Sequence, residues 1–278
     1  MDKNRKVTDF VVADGTEEKL IRKGSAKGDQ LKWLVGDYWY KADRNGYEGL
    51  AEVVVSKLLS KSNLKPENYI DYDLATIKYK NKTYQGCKSK NFLLHGESLI
   101  TLESLYRQFS GQSLTAVLAE INNLSKEMTF MINFVNNLDL DFDFTQYLSN
   151  MLMIDMLFLN EDRHLHNIAL IQKTNGQYRA APIFDNGASL LSDIENDYPL
   201  SNATGKLMKK VRPKTFDHSF SEIENELLKR QIISIEFSFN EADVKDILEN
   251  CTSYSDEIEN RIIYILNMQR EKYDYYFK

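Results

Sequence analysis

The stretch LFLNEDRHLHNIALI, residues 157 to 171, sets a dense run of polar residues between two apolar flanks. Upstream it continues FTQYLSNMLMIDMLFLN, an apolar run that reads as a buried helix, and downstream IALI reads as the start of a core strand. The short polar loop between them is therefore held at a fixed separation. It carries Asp162, Arg163, His164, His166 and Asn167. Residues of these types also favour ordinary turns through local hydrogen bonds, so the neighbouring elements have to decide what the loop is.

Working outward, IALIQKTNGQYRAAPIF (168 to 184) reads as a β-hairpin with Asn175-Gly176 in its loop, and PIFDNGASL places Asp185 directly after it. Residues 5 to 92 read as strands around one helix. LKWLVGDYWYKA (31 to 42) has two β-prone runs split by Gly36-Asp37; YEGLAEVVVSKLLSKSNL (47 to 64) repeats Leu50, Val54 and Leu58 at helical spacing; YIDYDLATIKYKNKTYQGCKSK (69 to 90) alternates again, with Asn81-Lys82 as its turn. From about residue 98 the pattern is mostly helical, beginning with SLITLESLYRQF. The predicted fold class is α+β: a small antiparallel-sheet N-lobe with one helix over residues 1–92, and a larger helical C-lobe over 93–278, together one two-lobed domain.

Composition bounds the rest. With 278 residues, 42% hydrophobic and 27% charged, only 4 Pro and 12 Gly, the chain has the makings of a substantial core. A net charge of −6 gives no general attraction to nucleic acid or to an anionic membrane, so neither is an expected partner. Cys87 and Cys251 are the sole cysteines, without a CxxC spacing, which points away from a disulfide framework or structural zinc and toward a reducing compartment. The N-terminus lacks an apolar signal core, and no run of eighteen apolar residues occurs. A cytoplasmic protein is expected, although export through a specialised apparatus would leave no such mark.

The loop, the hairpin and the strand-rich first part together match the needs of phosphoryl transfer. That reaction needs oxygen ligands for a divalent cation, a cation for the phosphates, and a carboxylate for the attacking hydroxyl. Asp162 and Asn167 stand five positions apart, the offset between the base and the metal-binding amide of a kinase catalytic loop. Two antiparallel strands joined by a tight turn bring their outer ends together, so Asn167 and Asp185 can share one cation. Lys41 ends the strand YWYKA and Glu52 lies in the following helix, where an ion pair would fix the lysine over phosphates. KGSAKGDQ (23 to 30) supplies Gly24, Ser25, Ala26, Lys27 and Gly28, small residues whose amides can approach phosphates. Asp155, inside an apolar helix, is costly unless paired, and the polar loop is its natural partner. The histidines lack the companions of a zinc site, so structural roles are expected for them.

NEDRHLHNIALI followed by APIFDNGASL, with GSAKG and YWYKA upstream, resembles the HipA-like kinases, above all their compact single-module members. Its ordered landmarks span roughly residues 20 to 195, and the DRHxxN form is also similar to that of phosphatidylinositol kinases. The resemblance implies a two-lobed kinase fold, ATP with Mg²⁺, and phosphorylation of Ser or Thr in a protein substrate, with autophosphorylation. It makes Asp162 the catalytic base, Asn167 and Asp185 the Mg²⁺ ligands, Lys41 the phosphate-holding cation and Glu52 its brace. Ser25 takes the place of an autophosphorylated loop serine. Adenine is expected against Gly86 to Lys90, including Cys87 and Lys88. FDNG in place of a Phe-containing DFG departs from conventional kinases. A small-molecule or lipid kinase would share the same metal site, and a nucleotide-binding pseudokinase would share the fold. Lys206, Lys209, Lys210, Arg212 and Lys214 cluster downstream, as a solvated loop or as a docking segment for acidic partners. Oligomeric state is left open.

Overall fold

The computed structural model describes residues 9–11 as backbone and residues 30–251 and 253–278 in full; the glycine-rich segment from Gly24 to Gly28 lies outside the described residues. In chain order the elements are β1 (Asp9–Val11), β2 (Lys32–Val35), β3 (Tyr38–Ala42), α1 (Glu48–Leu59), β4 (Tyr72–Tyr79), β5 (Lys82–Lys90) and β6 (Ser98–Thr101). Then follow α2 (Leu102–Ser110), α3 (Leu114–Ile121), α4 (Leu124–Asn136), α5 (Phe144–Phe158), β7 (Ala169–Gln172) and β8 (Tyr178–Ala180). The chain ends with α6 (Thr204–Met208), α7 (Phe220–Arg230), α8 (Glu241–Glu249) and α9 (Asp256–Lys272).

These elements fall into two units. The first takes the described residues up to Asn91 together with Asn186–Lys210 and Glu236–Lys278; the second takes Phe92–Asp185 and Val211–Ile235. The sequence places one boundary after residue 92, whereas the chain here returns twice to its first unit. The reason lies in packing that no local pattern announces: α8 lies on α1, and both α6 and α8 lie on α9.

In the first unit the sheet order is β1-β4-β5-β3-β2, antiparallel throughout except for β1, which pairs with β4 in parallel. The Gly36-Asp37 turn forms as its residues require, with Gly36 at φ +58°. The second turn is Lys80-Asn81, both at positive φ, one residue earlier than expected, because Lys82 is already paired with Tyr79. Trp33, Tyr40, Ala42, Ala75 and Ile77 form one buried cluster on the sheet. Helix α1 buries ten of its residues, among them Leu50, Val54 and Leu58. Its first turn approaches β5 so closely that a Cβ on Gly49 would lie 2.6 Å from the backbone of Gly86.

The returning segments are pinned from several sides. Buried Arg261 on α9 donates to the carbonyls of Tyr198 and Pro199, and the Tyr47 hydroxyl donates to the Leu190 carbonyl. Leu190 and Leu191 both hold left-handed backbone (φ +58° and +61°) while fully buried. Such conformations cost on the order of 1–3 kcal/mol each and persist where burial over-determines them.

In the second unit β6, β7 and β8 make an antiparallel sheet with β7 in the middle. The hairpin predicted over 168–184 is present, with Gly176 at φ +88° in its turn. The segment SLITLESLYRQF begins as strand β6 rather than helix. Thr101 ends that strand and caps α2 by accepting from the Ser104 amide, which is where the helical period takes over. Helix α5 is buried along nearly its whole length beneath α4 and α7. No helix among the described residues is long and apolar enough to cross a membrane.

Candidate active site

The opening loop leaves α5 through Leu159, a left-handed C-cap at φ +56°. Asp155, one turn back in the helix and 1% exposed, is where the loop is anchored. It accepts from Arg163 Nε (3.0 Å to Oδ2) and Nη2 (3.0 Å to Oδ1), and from Asn160 Nδ2 at 2.9 Å. Burial pushes the Asp155 carboxyl up from its ordinary range, and the Arg163 charge opposes that shift. The pairing expected of Asp155 is thus present.

Arg163 is itself completely buried, and its remaining nitrogen does further work. Nη1 donates to the Phe184 carbonyl at 2.5 Å and to the Asn167 carbonyl at 3.4 Å. One guanidinium therefore holds the end of the polar loop and the residue immediately before Asp185. This brings the Asn167 carbonyl and the carbonyl preceding Asp185 to one nitrogen at the open end of the hairpin. Asp185 adopts φ +62°, an uncommon conformation for a carboxylate residue and one typical of functional turns.

Within the loop, Asn167 Nδ2 donates to the Asp162 carbonyl at 3.1 Å, which leaves Oδ1 as the atom that could hold a cation. The Asp162 amide is held by Asn160 Oδ1 at 3.2 Å. Its carboxylate Oδ1 accepts from Lys214 Nζ at 2.6 Å, a contact spanning 52 residues that no sequence signal marked. His164 and His166 meet edge to face, with ring centroids 5.6 Å apart. Neither ring nitrogen of His164 has a hydrogen-bond partner among the described residues, and burial pushes its pKa down.

In the first unit, Lys41 Nζ lies 2.5 Å from Glu52 Oε1, both side chains buried, and 3.4 Å from the Tyr72 hydroxyl. Glu52 Oε2 accepts from the Asn186 amide at 2.8 Å, the first amide after Asp185 in the chain. Lys41 and Glu52 are therefore brought together as their positions on β3 and α1 required.

Cys87 and Lys88, expected near adenine, sit on a strand paired on both sides. β5 is an interior strand; Cys87 pairs with Lys41 and Leu74, and Lys88 with Tyr40 and Asp73. Their backbone groups serve those ladders. The Cys87 thiol is fully buried, and burial pushes it well up. Lys88 instead lines a cleft of about 510 Å³ with Lys57, Lys61 and Asp243.

The donor set bears on the cation. Among the described residues no three His, Cys, Asp or Glu side chains converge on a metal-sized site. One amide oxygen and one carboxylate remain, a set too sparse for zinc but fitting for Mg²⁺, which takes one or two protein oxygens and completes its shell with water and phosphate.

No protein-family model matches the sequence, and no curated protein matches it either. Among solved structures the chain is similar to the proinflammatory kinase CtkA of Helicobacter pylori, with a TM-score of 0.60 and 17% identity over 96% of this chain and 95% of that one. That likeness shows the fold: a mixed α+β, kinase-like arrangement.

Proposed function

We propose that the protein is an ATP-dependent protein serine/threonine kinase of the HipA-like type, acting with Mg²⁺. The observation that carries the reading is Glu52, which grips Lys41 with one carboxylate oxygen and the amide after Asp185 with the other. A buried ion pair adds little stability over an apolar pair of similar size, so its presence here supports a functional reason for it.

In this reading Lys41 holds the α- and β-phosphates of ATP, and Asn167 and Asp185 hold Mg²⁺, which neutralises charge on the phosphate oxygens. Asp162 orients the acceptor hydroxyl and takes its proton. Arg163, sunk in the core, keeps the loop and the Asp185 end of the hairpin in register. Ser25 is the proposed autophosphorylation site. Both cysteines are free thiols, in keeping with a cytoplasmic protein.

The test is incubation with labelled ATP and Mg²⁺, alone and with generic protein substrates. Label on the protein or its substrates that is lost in Asp162→Ala supports the proposal. Nucleotide binding without transfer in the wild type would overturn it in favour of a pseudokinase, and transfer to lipid or metabolite hydroxyls alone would shift the acceptor class. Phosphoproteomic comparison of active protein with Asp185→Ala would then name the substrate.

A further inference from the structure

Phosphoryl transfer needs positive charge near the acceptor as well as over the nucleotide, because negative charge spreads over the three oxygens of the group in flight. The polar loop does not supply it. Its one arginine, Arg163, is fully buried and committed to Asp155 and to the carbonyl of Phe184. Burial pushes the His164 pKa down, against its charged form. The cation that does reach the loop is Lys214, whose Nζ lies 2.6 Å from Asp162 Oδ1 while the side chain keeps 41% of its surface exposed.

Its approach is built, not incidental. The Lys214 amide donates to the Glu161 carbonyl at 3.1 Å, and the buried Thr215 hydroxyl donates to the Arg163 carbonyl at 2.5 Å. Two consecutive residues thus dock onto the loop on either side of Asp162, and the lysine is aimed by its own backbone.

We propose that Lys214 is a catalytic lysine: held on Oδ1 of Asp162, it leaves Oδ2 for the acceptor hydroxyl and presents its remaining N–H donors to the transferred phosphoryl group. The geometry permits this. A hydroxyl bound to Oδ2 sits about 3 Å from it, and the phosphorus it attacks about 3–3.5 Å beyond, so a group on Oδ1 is within reach of the phosphoryl oxygens. In the step, the acceptor oxygen bonds to the γ-phosphorus and the bond to the β–γ bridging oxygen breaks, its electron pair leaving with ADP. The hydroxyl proton passes to Asp162, and Lys214 stays protonated throughout. The assignment rests on the kinase reading above and separates Lys214 from the four basic residues with which it clusters in sequence.

The experiment compares wild type with Lys214→Met, Lys214→Arg and Lys210→Met. Lys214→Met should lower kcat by about 10²-fold, the cost typical of removing one oriented charge-stabilising donor, with KM for ATP changed by no more than about threefold. Lys214→Arg should restore most of the rate, and Lys210→Met should leave kcat unchanged. By calorimetry, Lys214→Met should bind MgADP like wild type but MgADP with aluminium fluoride, a mimic of the group in flight, about 10-fold or more weakly. Lys214→Gln repeats each measurement if the methionine variant fails to fold. An unchanged or raised kcat in Lys214→Met, or an equal loss in Lys210→Met, would overturn the assignment while leaving the kinase reading intact. A wild type that neither transfers phosphate nor binds nucleotide overturns both.

Discussion

The Tyr254 hydroxyl donates to Asp43 Oδ2 at 2.6 Å, tying residues 211 positions apart at the point where β3 hands over to α1. The same carboxylate accepts from the Gly49 amide through Oδ1. Burial nevertheless pushes the Asp43 carboxyl up from 3.8 to about 7, outweighing both hydrogen bonds. The folded state thus holds this proton more tightly than the unfolded chain. The stability that follows is fully present below about pH 4 and is lost as pH rises through about 7, with a slope of at most about 1.4 kcal/mol per pH unit. Asp43→Asn should flatten that slope. Denaturant unfolding of both proteins between pH 4.5 and 8 checks it, and parallel curves would count against the assignment.

Removing one partner of the Lys41–Glu52 pair leaves a buried charge alone. Glu52→Ala should lower unfolding free energy by about 3–5 kcal/mol. Lys41→Met fills similar space but strands the fully buried Glu52 carboxylate, so it too should lose stability, whereas Lys41→Met combined with Glu52→Gln removes both charges and should recover much of it; either variant should abolish phosphate transfer. Chemical denaturation and ATP-binding calorimetry on these variants separate stability from ligand binding; a double variant no more stable than either single one would contradict the buried-charge argument.

Arg163→Lys tests the clamp differently. A lysine offers a point charge in place of a planar fork, so it can satisfy Asp155 or the Phe184 carbonyl but not both. The variant should fold and remain able to bind nucleotide, while the Mg²⁺ concentration needed for half-maximal transfer rises by roughly 10-fold, as for other losses of metal-orienting groups. A Mg²⁺ titration of activity that superimposes on wild type would refute the clamp.

Gly49→Ala places a methyl 2.6 Å from the Gly86 backbone, where no flexible side chain can yield. Overpacking of this kind costs about 1–3 kcal/mol. Since Glu52 sits one turn further along α1, the displaced helix should also loosen its grip on Lys41, lowering transfer more than the stability loss accounts for. Thermal unfolding and a kcat measurement at a temperature where the variant is fully folded distinguish the two effects.

Much of this was legible from local chemistry. Gly36-Asp37 and Asn175-Gly176 announced their turns because tight hairpins demand those residues, and α1 announced itself through the spacing of Leu50, Val54 and Leu58. Asp155 was legible as a cost: a carboxylate in an apolar helix had to find a donor, and Arg163 is that donor. Lys214 was hidden for the opposite reason. Its partner is 52 residues away and the lysine sits among other lysines, so neither periodicity nor composition singles it out. The same holds for α8 on α1 and for β1 beside β4, contacts set by tertiary packing. The interior position of Cys87 and Lys88 also needed the strand order, because a strand's neighbours are not written in its own residues.

The return of residues 186–210 and 236–278 to the first unit bears on how the protein is made. The residues of the second unit have all left the ribosome once Ile235 emerges, so that unit can close during synthesis, whereas the helix bearing Glu52 must wait for α8 to cover it. A nascent chain would therefore complete the unit that carries the polar loop and Asp185 before the unit that carries Lys41 and Glu52.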